Sequence, residues 1–149
     1  MNKTIKPTAA HRALGVLAGN WITYGTIHAV GDAAATEMHA IDQYEWLPGE
    51  FFMLHKVEAL IGGTASRSIE IIGFDAAQGC YVSRSYDDQG SSEQFTAHLK
   101  NRAWVIDGLN TRFRGAFNAS RTVLAGTWEK LADGKQWTPW MDIELRKVT

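Results

Sequence analysis

From Trp21 to Leu145 apolar and polar residues alternate with a period of two, interrupted only by short turns. Successive side chains of a strand point to opposite faces, so this period marks strands with one buried face. Ten strands are read at 20–29, 36–46, 51–61, 65–74, 79–87, 91–99, 102–107, 110–117, 121–131 and 135–147. The links carry turn residues: Gly31-Asp32, Pro48-Gly49, Gly62-Gly63, Gln78-Gly79, Gln89-Gly90, Asp107-Gly108, Asn118 to Ser120 and Asp133-Gly134. Links this short make consecutive strands antiparallel. An open meander of that size would leave long unpaired edges. The expected fold is therefore an all-β, ten-stranded, antiparallel up-and-down barrel with room inside.

One helix is expected over 8–18, where Thr8 can cap and Ala10, Leu14 and Leu17 recur at helical spacing before Gly19. The whole chain, 1–149, then reads as a single domain.

Composition narrows the partners. The net charge is −1, against the basic face that nucleic acid requires. Six Trp, four Tyr and six Phe must fill a core or line an apolar pocket. Cys80 is alone, so no intrachain disulfide can form. Met1 to Pro7 has no apolar leader core, and no apolar run reaches membrane-spanning length. A cytoplasmic bacterial protein with no membrane partner is expected.

Register can be tested on the sequence. A two-residue turn at Pro48-Gly49 sets Trp46 opposite Phe51, Tyr44 opposite Met53, Asp42 opposite His55 and Ala40 opposite Val57. Apolar residues then share one face, while Glu37, His39, Gln43, Glu45, Lys56 and Glu58 share the other. A turn at Asp133-Gly134 likewise pairs Trp128 with Pro139, Gly126 with Met141 and Leu124 with Ile143.

Asp42 interrupts the inner face. Continuing through turns at Gly62-Gly63, Ala76 to Gln78 and Asp87 to Gly90, His55 faces Glu70, Glu70 faces Arg84, and Arg84 faces Glu93. These five would form a polar belt among inward Met38, Tyr44, Met53, Val57, Ile72, Val82, Tyr86 and Phe95. Buried charges are costly unless paired, and such groups often mark functional sites. His55 between carboxylates would stay protonated or shuttle a proton, and Arg84 could clamp a ligand carboxylate. A shifted strand 65–74 would instead turn Ile69 and Ile71 inward and Glu70 outward, leaving a self-satisfied network.

Asp42, His55 and Glu70 lack close metal-ligand spacing, so no metal is expected. His11, His28, His39 and His98 read as surface imidazoles, and Cys80 reads as core. Gly115 and Gly126 leave inner space or relieve curvature. Trp21, Trp46, Trp104, Trp128 and Trp137 alternate inward. Trp140 faces outward, onto a homodimer contact or under a basic side chain such as Arg146.

Gly19-Asn20-Trp21 after a short helix resembles the opening of the calycins, and Glu144-Leu145-Arg146 resembles their last strand. In that group a basic residue near the end often packs on the early Trp. Ile72-Gly73-Phe74-Asp75 and Gly79-Cys80-Tyr81 resemble a bacterial calycin-like family of unknown function (DUF1579-like). Its architecture is similar to that of nitrobindin, fatty-acid-binding and lipocalin barrels. The resemblance implies a barrel with an internal site. Nitrobindin-type haem proteins use a histidine near the C-terminus. This chain has none after His98, and no cofactor is expected.

The first functional expectation is a carrier or sensor for a small, largely apolar or aromatic ligand with a polar or acidic group. Its site would comprise Asp42, Tyr44, Trp46, Met53, His55, Glu70, Arg84, Tyr86, Phe113, Trp128 and Met141. The alternative is an isomerase, cyclase or lyase in which Asp42 orients His55 as general acid or base, with Glu70 a further candidate. A filled barrel acting through its surface is the third.

Overall fold

The computed structural model describes residues 4–148; Met1 to Lys3, part of the stretch read for a leader, lie outside it, as does Thr149. A short helix α1 (Ala9–Ala13) runs into a 3₁₀ turn (Leu14–Leu17). Ten strands follow: β1 (Gly19–Ile27), β2 (Thr36–Trp46), β3 (Phe52–Ile61), β4 (Thr64–Asp75) and β5 (Cys80–Asp87) form the first half. The second half is β6 (Ser92–Lys100), β7 (Ala103–Asp107), β8 (Thr111–Phe117), β9 (Val123–Ala132) and β10 (Gln136–Val148). Each strand pairs with its neighbour in sequence, and β1 pairs with β10 to close the barrel. None of the described helices is long and apolar enough to cross a membrane.

The helical segment plugs one end. The Thr8 backbone N–H donates to His11 Nδ1 at 3.0 Å, which pins the first turn. Leu14 and Leu17 are fully buried beside Trp21, whose indole N–H donates to the Leu17 carbonyl at 2.8 Å. That bond satisfies a carbonyl which the helix end leaves free. Tyr81 reaches across to donate to the Ala10 carbonyl at 2.6 Å. Gly15 passes close to the Trp46 ring, where a Cβ would sit 3.6 Å away.

Besides a one-residue slip at the β5–β6 turn, which pairs Arg84 with Gln94 rather than Glu93 and keeps Phe95 inside, four details depart from the expected register. The β2–β3 turn spans four residues, with Glu50 in the left-handed region and the Leu47 N–H bonded to the Phe52 carbonyl. Trp46 therefore pairs with Met53, Tyr44 with His55 and Asp42 with Val57. The slip is two residues, so every side chain keeps its face.

The β4–β5 turn also holds four residues. Asp75 Oδ1 accepts the N–H groups of Ala77 and Gln78, and Gly79 takes a positive φ. Asp75 thus pairs with Cys80 and Ile71 with Arg84. This is a one-residue slip, and it flips β5. Tyr81 and Ser83 turn inward, while Val82, Arg84 and Tyr86 turn outward. Cys80 is buried at the strand's start.

The third departure is at the start of β10. The turn through Asp133 closes with the Lys135 N–H on the Ala132 carbonyl, so Trp137 lies opposite Leu131. Trp137 is consequently outside, under the Arg112 guanidinium at 4.3 Å. The fourth is a bulge between Pro139 and Met141, where proline has no N–H for the ladder. It restores the inward face, pairing Trp128 with Met141, Gly126 with Ile143 and Leu124 with Leu145. Trp140 sits at this bulge and turns to the barrel interior rather than outward, with Lys130 Nζ 4.0 Å over its ring. Lys147, not Arg146, lies over Trp21, at 5.4 Å.

Gly115 and Gly126 face each other across β8 and β9. A Cβ on Gly126 would press on the Arg114 carbonyl and the Gly115 backbone, and 2.8 Å from the Phe113 ring. The inner space left by these glycines is therefore occupied by Phe113. Replacing Gly126 by alanine should cost on the order of 1–3 kcal/mol, because backbone rather than a flexible side-chain tip must move. Urea unfolding checks this, and an unchanged midpoint would contradict it.

Candidate functional site

The barrel interior holds a cavity of about 270 Å³. The apolar part of its wall includes Trp104, Ile106, Phe113, Trp128, Met141 and Ile143. The end away from the helix is marked by Ile27, Ile61, Ser66 and Trp140. Five neighbouring strands each contribute one polar side chain to a hydrogen-bonded chain at mid-depth.

Thr23 on β1 donates its hydroxyl to Asp42 Oδ1 at 2.5 Å. Asp42 Oδ2 on β2 accepts the Nε2 proton of His55 at 2.6 Å. His55 Nδ1 on β3 lies 3.0 Å from Glu70 Oε1 on β4. Ser83 on β5 donates to Glu70 Oε2 at 2.8 Å. Asp42 and His55 meet diagonally, because the two-residue slip places Tyr44 directly opposite His55. The Tyr44 ring stacks on the imidazole, centroids 3.9 Å apart and planes 10° from parallel. A ring face under an imidazolium is electrostatically favourable.

Electrostatics fixes the protonation states. Burial alone would push the His55 pKa down. The hydrogen bonds to Asp42 and Glu70, then their charges, overcome that and raise it from 6.5 to about 9. His55 is thus a cation at neutral pH, donating from both ring nitrogens. The Tyr44 hydroxyl is held neutral, its pKa raised well above 10.0 by burial and then by the charges of Asp42 and Glu70.

Of the residues named from the sequence, Asp42, Tyr44, His55, Glu70, Phe113, Trp128 and Met141 line the cavity. Met53 is fully buried in the core, and Trp46 packs against that core beside Gly15. The expected belt ends at Glu70. Arg84 lies outside, donating to Gln94 at 2.8 Å, Tyr86 is exposed, and Glu93 is exposed on β6. A carboxylate clamp by Arg84 is excluded by that position.

Sequence reasoning missed four polar wall residues. Thr23 was available from alternation after Trp21. Ser66 and Ser68 share the Glu70 face of β4 and carry no distinctive signal. Ser83 was hidden by the one-residue slip. Among the described residues no group of three or more His, Cys, Asp or Glu is arranged to hold a metal ion. The imidazole stands between the carboxylates, so the three cannot converge on one point.

A family model described as a protein of unknown function, DUF1579, matches residues 6–108. The chain belongs to the DUF1579 family. The DUF1579 match spans β1 to β7 and so includes all five polar side chains of the interior. No curated protein matches the chain. Among solved structures, Rv2717c from M. tuberculosis is similar, with 12% identity and a TM-score of 0.68 over 95% of this chain and 99% of that one. The S-type phycobiliprotein lyase CPES from Guillardia theta is also similar. It shows 10% identity and a TM-score of 0.51 over 95% of this chain and 94% of that one. At these identities the likeness is one of fold.

The charged network has a pH signature. Folding raises the His55 pKa, so its contribution is fully present below about pH 6.5 and fades as pH climbs through about 9. The loss should amount to a few kcal/mol at most. Histidine-detected NMR should place the His55 midpoint near 9. A midpoint at or below the ordinary 6.5 would refute the arrangement.

Proposed function

We propose that this DUF1579 protein binds a small, largely apolar or aromatic molecule carrying a polar group, inside the barrel, as a carrier or sensor. The observation that carries this reading is the cavity itself. Its wall is mostly apolar and aromatic, and a few convergent polar groups are fixed at one depth. Those polar groups are held by each other, which prevents them from collapsing onto a ligand-free wall. The barrel fold, shared with a phycobiliprotein lyase, is compatible with an internal site and names no ligand.

The acid–base reading has weaker support. Both His55 nitrogens are already engaged by carboxylates. A substrate could exchange a proton with the ring only after displacing Asp42 or Glu70. A raised pKa also removes the unprotonated form that a general base requires near neutrality. His55 is better suited to holding charge than to moving it.

Access can be closed by one substitution. Ala59 lines the cavity, opposite Ala40 and Ser66, and is only half-buried. Ala59→Trp should block uptake of the uncharged apolar probe N-phenylnaphthylamine, while stability changes by only about 1 kcal/mol. Probe fluorescence checks the first point and thermal melting the second. Full uptake by the folded variant would reject an interior site.

A further inference from the structure

We propose that the cavity prefers a ligand whose polar end is a nitrogen cation, such as a protonated amine on an apolar or aromatic body, over one ending in a carboxylate. The inference rests on the ligand-binding reading above and sharpens it.

The charge inventory of the wall carries the argument. Asp42, Glu70 and His55 are its ionisable acids and bases at neutral pH, and no Lys or Arg lines it. With His55 protonated the wall carries one net negative charge; with His55 neutral it carries two. The sign holds in either state. An entering carboxylate would lose its hydration and meet net negative charge across a low-dielectric wall. A cation would offset that charge.

The nearby positive groups are committed elsewhere. Arg84 is outside on Gln94, Arg112 pairs with Glu129 at 2.9 Å, and Lys130 lies over the Trp140 ring. The His55 protons, which could have served an anion, are both spent on Asp42 and Glu70.

What the interior still offers is carboxylate lone pairs, which accept only, and a few neutral hydroxyls, which can donate or accept. Each carboxylate oxygen of Asp42 and Glu70 takes one protein donor and keeps a further lone pair. Tyr44 is 8% exposed and lines the cavity, and its hydroxyl is held neutral. Ser66 and Ser68 continue the Glu70 face of β4 toward the open end. The aromatic side chains of Trp128 and Phe113 complete the wall, and aromatic rings attract cations over their faces.

The test compares phenylbutylamine, phenylbutanol and phenylbutyrate by tryptophan fluorescence titration near neutral pH, with N-phenylnaphthylamine as the uncharged control. The amine should bind at least about tenfold tighter than the acid, with the alcohol between them. Glu70→Gln should shrink that gap to about threefold or less. Ser66→Lys, nearer the solvent end and less demanding on the fold, should shrink it in the same way. Equal or tighter binding of the acid overturns the charge preference and leaves the cavity reading intact. The charge preference is overturned equally if the control binds and none of the three does. If the control also fails, both readings fall. A gap that survives in folded Glu70→Gln and Ser66→Lys proteins removes the stated cause and overturns the proposal.

Discussion

The pairing of the first strand with the last is the constraint on which everything else depends. Asn20 meets Val148 and Ile27 meets Met141, so the two ends of the meander are stitched along the full length of β1. Before that closure, the inner faces of the ten strands are merely one side of a curling sheet. Afterwards they surround a single space, and the helical segment can seal one end with Leu14, Leu17 and Trp21. The polar chain, by contrast, runs through consecutive hairpins from β1 to β5, and closure gives it an enclosed space to face. Thr23 belongs to β1, and the carboxylate it supports, Asp42, lies on the strand beside it. Side chains from positions 23 to 83 thus join into one network through strand order alone.

Burying that network is thermodynamically expensive. Two carboxylates and an imidazolium are taken from water, and apolar residues of similar volume often make a more stable core. The cost is reduced here by complete local pairing. Each carboxylate oxygen has a protein donor, each imidazole nitrogen has an acceptor, and Tyr44 covers one face of the ring. No deeply buried side-chain nitrogen or oxygen among the described residues lacks a partner. A network so fully paired is rigid. Rigidity suits a binding wall, since the polar groups need not reorganise when a ligand arrives.

The fold was legible because alternation is a robust signal, and expected and observed strand ends agree within two residues throughout. Facing was legible only where turn length was. At Gly62-Gly63 the expected two-residue turn forms, and His55 meets Glu70 as expected. At Pro48 the turn is longer by an even number, so Asp42 and His55 change partners yet stay inside. At Asp75 the side chain caps the turn and adds one residue, which moves Arg84 from the cavity to the surface. The turn at Asp133 produces the same kind of error for Trp137, and the proline bulge of β10 produces it for Trp140. Alternation reports parity along a strand. It cannot tell which parity the next strand inherits, and that is decided by turn hydrogen bonds made by residues as ordinary as Asp75.

That single inversion of β5 reverses the chemical meaning of the interior. With Arg84 inside, the wall would be close to charge-neutral and equipped with a guanidinium fork for an acid. With Ser83 in its place, the fork is gone and Glu70 is supported by a neutral hydroxyl instead. His55 cannot compensate as an anion receptor, because its two protons are directed along the strand-to-strand axis into carboxylates. Its charge therefore serves to hold Asp42 and Glu70 together at short range, against the repulsion they would otherwise feel across the ring. The carboxylate lone pairs that remain share one cavity with the aromatic side chains of Trp104, Phe113 and Trp128. The character of the site follows from this geometry, in which a fixed internal cation leaves its two partners with lone pairs to spare.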